Sequence, residues 1–142
     1  MPVDIYAPTD NDDLSSYELA LYQMIMEYRA GLGLDAIPLS AGLTITAGRH
    51  AVDSYHNIHR TGLQLPEGAN LHSWSDAPYF SDHSAAEVMW DAPTRLNTGY
   101  TDTGFEISAS GFRNAAGAMA GWQGSPGHDD VMSNAGIWSA LD

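Results

Sequence analysis

Gly121-Trp122-Gln123-Gly124-Ser125-Pro126-Gly127-His128 is the most informative stretch of this 142-residue chain. Gln123-Gly124 closes a small-residue helix that begins near Asn114. Ser125-Pro126 opens another, with a capping hydroxyl followed by proline at the first helical position. His128 then falls at the third position of the new helix, where free backbone N–H groups and the macrodipole disfavour an imidazolium. A neutral imidazole there suits metal binding or proton acceptance.

Working outward, Ser15-x-x-Glu18 is a capping box ahead of Leu14, Tyr17, Leu21, Met24, Ile25 and Tyr28 at helical spacing, so a helix is expected over 15–31. Ser40 caps a second, with Leu43, Ala47, Ala51, Tyr55 and Ile58 on one stripe and Gly62 as its stop. Residues 63–83 read as loop. Ser84-x-x-Glu87 is a second capping box, opening a short helix that Pro93 ends or bends. Gly104 to Ala109 alternates Phe105, Ile107 and Ala109 against Glu106 and Ser108, the one good strand signal in the chain.

Composition narrows the function. Eighteen Asp and Glu stand against five Arg and no Lys, a formal charge of −13. Such a surface lacks the clustered cations that nucleic acid or anionic lipid requires. There is no cysteine, hence no disulfide, thiolate metal site or thiol nucleophile. No apolar run reaches the length of a membrane span, and Met1-Pro2-Val3-Asp4 carries neither the basic nor the apolar region of a secretion signal, so a cytosolic protein, a removed signal or export by a C-terminal signal all stay open. Residues 1–13 read as an extended acidic arm and 14–142 as one domain. The Asp10-Asn11-Asp12-Asp13 run lacks the glycine and distal Glu of a calcium loop, so it is expected to be solvated.

Several fragments, in order, resemble the CAP superfamily of cysteine-rich secretory, antigen 5 and pathogenesis-related proteins and bacterial SCP-like domains. Tyr28-Arg29-Ala30 with Gly33-Leu34 and Pro38-Leu39 is similar to its opening helix, and Leu43, Ala47 and His50-Ala51 to its second. His72-Ser73 with Ser75-Asp76 resembles the loop of its first cavity histidine. Gly99-Tyr100 with Gly104-Phe105-Glu106-Ile107 resembles its Gly-Glu-Asn-Ile strand, and Trp122 with Ser125-Pro126-Gly127-His128 its last motif. The resemblance covers residues 15–138. It implies an α+β fold, an α–β–α sandwich with a small antiparallel sheet between helices. The family's C-terminal hairpin has no counterpart before Asp142, so a fragment of a longer protein, or a homodimer formed through the unpaired sheet edge, is expected.

The resemblance also implies an extracellular protein with a cleft built by His72, Glu106 and His128, with Trp74 on its wall. The cleft would bind a small molecule, lipid or cell-surface ligand, or a divalent cation such as zinc through His72 and His128, with Glu106 completing the set. Two alignments of Glu106 stay open: the strand motif puts Phe105 where the family glutamate stands, whereas the 22-residue spacing to His128 favours Glu106. The rival reading is a metal-dependent hydrolase with Glu106 as general base toward a zinc-bound water. A serine hydrolase is disfavoured because Pro126 removes an oxyanion donor and no nucleophile elbow surrounds Ser125. Asp53, His56 and His59 share helical spacing and read as solvated face. His83, beside Asp82 and ahead of Ser84, is an alternative member of the cavity rim, while His50 reads as a half-buried structural histidine and Glu18 and Glu87 as capping acids.

Overall fold

A computed structural model describes residues 2–140. Its named elements are α1 (Ser16–Gly31), α2 (Ala41–Val52), a π-helical continuation over Asp53–His59, α3 (Glu87–Trp90), α4 (Ala92–Arg95), α5 (Ala115–Gln123), α6 (Pro126–Ser133) and a 3-10 turn (Gly136–Ala140). They fall into two compact units. Met1–Asp13 and Leu39–Glu106 form the first; Leu14–Pro38 and Ile107–Asp142 form the second.

Helix starts follow their caps. Ser15 and Glu18 form both bonds of the capping box, Ser40 Oγ accepts from Leu43 N, and Asn114 Oδ1 accepts from Gly117 N. The Ser84 box does not form. Asp82 takes the Ser84 N–H instead, at 2.9 Å, and α3 begins only at Glu87. Pro93 sits in the first turn of α4, so it restarts a helix after the break at Asp91.

The expected sandwich is overturned: among the described residues there is no sheet, and β pairing is confined to two isolated antiparallel bridges, Ala69–Phe80 and Trp74–Ala77. A strand needs a neighbouring strand to ladder with, and period-2 alternation occurs in one stretch of this sequence alone. The Gly104–Ala109 run starts against α3 and α4 instead: Gly104 N donates to Trp90 O at 2.9 Å, and a Cβ on Gly104 would lie 3.2 Å from the Pro93 ring. Without a sheet edge among those residues, the dimer expected through it loses its basis.

In the first unit, the N-terminal segment is packed rather than solvated. Ile5 is buried with Trp74, Ala92 and Leu96 in one apolar cluster. Arg49 holds Asp12 in a two-pronged pair, Nε to Oδ1 at 3.0 Å and Nη2 to Oδ2 at 2.8 Å. That pair draws the segment so close to α2 that a Cβ on Gly48 would stand 1.8 Å from the Asn11 carbonyl oxygen. Asn57 clasps Val3 through both N–H and C=O.

In the second unit, α1 packs on α5 and α6. Buried Arg29 donates to the carbonyls of Asp35 and Met132 and to Asn134 Oδ1, so it satisfies the end of α6, where Asn134 turns left-handed at φ 50°. Tyr28 donates to Asp129 at 2.7 Å. Among the described residues, no helix is long and apolar enough to cross a membrane.

Candidate functional site

The loop of residues 69–83 is fixed from beneath by Asp53, whose side chain is fully buried. Its Oδ2 accepts from Ser75 N at 2.6 Å, and its Oδ1 from Ser75 Oγ at 2.6 Å and Asn57 Nδ2 at 2.7 Å. Ser73 closes the loop on itself, donating to Tyr79 O and accepting from Tyr79 N. Asp53 continues the α-helical winding of α2, its N–H bonded to Arg49 O, and the π-helical winding begins only after it. Arg60 N to Tyr55 O and Leu63 N to Ile58 O are i→i+5 bonds, which change the face each residue presents. Asp53 therefore does not share a face with His56 and His59, which instead flank the exposed Tyr55 ring at 4.9 and 5.9 Å.

Above this base, three segments meet at one carboxylate. Glu106 accepts from His72 Nδ1 through Oε1 at 2.7 Å and pairs through Oε2 with Nδ1 of His50, in the last turn of α2. The other nitrogen of His50, Nε2, lies 3.0 Å from the Ser73 carbonyl oxygen. The His50 ring stacks on Trp74 at 4.4 Å between centroids, and the Arg95 guanidinium stands 5.3 Å from the same indole. Burial by itself would push the His50 ring down. The hydrogen bond and charge of Glu106, the Ser73 carbonyl and the Asp53 carboxylate outweigh it, and the ring holds its proton above the ordinary value of 6.5. Side-chain exposure rises from 7% at His50 to 22% at His72 and 26% at Glu106, so the centre is graded from buried to open.

His72 and Glu106 are thus brought together in the first unit. His128 stands in the second, third in α6, its Nδ1 bonded at 2.8 Å to Oγ of Ser125, which makes no side-chain cap to the backbone. Trp74, expected on a groove wall, is a core residue at 2% exposure. His83 takes φ 63° and shares a 2.8 Å hydrogen bond with the Tyr79 hydroxyl, and the Tyr79 ring meets His72 edge-on at 5.2 Å. Burial raises the Tyr79 hydroxyl, which therefore stays neutral beside its two histidines. His50 and Ser73 are the partners that spacing did not single out. Glu106 lies 56 residues from His50, and no local pattern links a helix histidine to so distant an acid.

A zinc ion needs ligand lone pairs, and His50 has none to offer while each of its nitrogens faces an acceptor. Among the described residues no group of three or more His, Asp or Glu could hold a metal ion.

The chain was compared with family models, curated proteins and solved structures, and none of the three comparisons found a match.

Proposed function

We propose that this chain is an SCP-like binding module, acting outside the cell, whose His50–Glu106–His72 centre recognises a small polar ligand. The observation that carries this reading is the pinned carboxylate: both oxygens of Glu106 are held by imidazoles from separate segments, while the His72 and Glu106 side chains stay partly exposed. Such an arrangement gives a ligand a polar surface fixed in advance, which limits the ordering cost of binding. The fragments from Tyr28-Arg29 to Ser125-Pro126-Gly127-His128 that resemble the CAP superfamily support the same reading.

Hydrolysis is less well supported. The hydrolase reading needs a metal to activate its water, and among the described residues no group of three or more His, Asp or Glu could hold one. The test is ligand-observed NMR with a library of small polar fragments against the wild type, His72→Ala and His56→Ala. Fragments that bind the wild type and His56→Ala but not His72→Ala support the proposal. An absence of hits, or hits indifferent to His72→Ala, overturns it.

A further inference from the structure

His50 is surrounded by groups that can only accept. A backbone carbonyl has lone pairs and no proton, so the 3.0 Å contact from Nε2 to Ser73 O requires a hydrogen on Nε2. The Nδ1 contact with Glu106 can be written with its proton on either partner. The choice is settled by basicity: imidazole binds a proton more tightly than a carboxyl by roughly two pKa units, a factor of about a hundred. Both ring nitrogens then carry hydrogen.

We infer that His50 is a standing imidazolium in the folded protein and acts as a positioning residue, locking Glu106 and the Ser73 carbonyl in place and cancelling the Glu106 charge. The surroundings agree with a buried cation. Asp53 from the π-helical segment and Glu106 supply two carboxylates, Trp74 offers its ring face, and Arg95 from α4 lies beside the same indole. Burial works against the charge, and the shift recorded for the ring is nonetheless upward.

Two consequences follow for His72. Its Nδ1 must carry the hydrogen given to Glu106 Oε1, which fixes its tautomer. The second is positional: with Glu106 held on its other oxygen by His50, the carboxylate bonded to His72 is fixed in place, which suits recognition. This second point rests on the binding reading above; the charge state of His50 does not.

Imidazole nitrogen NMR on the full chain tests both. In the wild type at pH 7, both His50 nitrogens should resonate as protonated, with a titration midpoint above 6.5. A neutral His50 at that pH, with one nitrogen showing a lone pair, overturns the inference without bearing on fragment binding. In His50→Gln, the His72 nitrogen signals should shift while those of His128 stay in place. Unchanged His72 signals overturn the positioning role. Glu106→Gln should lower the His50 midpoint; a midpoint that stays put contradicts the pairing.

Discussion

Gly48→Ala is the sharpest single perturbation the structure offers. The new Cβ would lie 1.8 Å from the Asn11 carbonyl oxygen and 2.9 Å from its carbonyl carbon. These are backbone atoms, so no side-chain rotation relieves the clash, and the N-terminal segment must retreat from α2 by more than an ångström. The two Arg49–Asp12 bonds, at 3.0 and 2.8 Å, do not survive that displacement. Ile5 lies on the same segment, so its burial beside Trp74 is loosened too. Overpacking in a tight contact costs about 1–3 kcal/mol, and re-exposing an isoleucine costs about 1.5–3 kcal/mol. The smaller of strain and undocking sets the outcome, so a loss of about 1–3 kcal/mol is expected. Urea denaturation of Gly48→Ala measures it, with Gly31→Ala as control, since nothing lies within 4 Å of a Cβ there. The loss caused by Asp12→Asn should also shrink in the Gly48→Ala background, because the salt bridge is already open. A Gly48→Ala stability within about 0.5 kcal/mol of wild type, with Asp12→Asn fully additive, would refute the docking of this segment.

Stability should fall at both ends of the pH scale. The raised His50 ring contributes stability that is complete below 6.5 and lost as pH climbs through its folded value, so His50→Gln should flatten the alkaline limb of a melting-temperature profile. The hydrogen bond from Arg49 holds Asp12 below its usual 3.8; that contribution is present above 3.8 and vanishes as pH drops through the lowered value, and Asp12→Asn should flatten the acid limb. Asp53→Ala strips the acceptors from Ser75 and Asn57 in a fully buried spot and should cost about 3 kcal/mol in urea denaturation, with Asp53→Asn losing less because it keeps one oxygen. Equal losses for the two variants would contradict the account of that anchor.

Local signals in the sequence were dependable where a cap acts on its own backbone. Ser15 with Glu18, Ser40 and Asn114 all begin helices where their side chains reach the next free N–H. The signal failed at Ser84, where Asp82 takes the N–H first, whereas α6 begins after Ser125 as expected although that hydroxyl pairs with His128. The strand expected at Gly104–Ala109 shows a different limit, since alternation marks a face but cannot supply the second strand. The same holds for the centre. His72 and Glu106 stood out by resemblance, yet His50 read only as a half-buried structural histidine because its partners, Ser73 and Glu106, are 23 and 56 residues away. Trp74 looked like a groove residue because it lies in a loop, and the core closes over it from Ile5 and α4.

The convergence of separate segments on Glu106 is tested most directly by a double-mutant cycle on folding stability, built from His50→Ala, Glu106→Gln and the two together. Groups in direct contact are coupled, and a coupling energy of about 1 kcal/mol or more is expected. Losses that add to within about 0.5 kcal/mol would mean that the two side chains do not meet, and the centre with them would be gone.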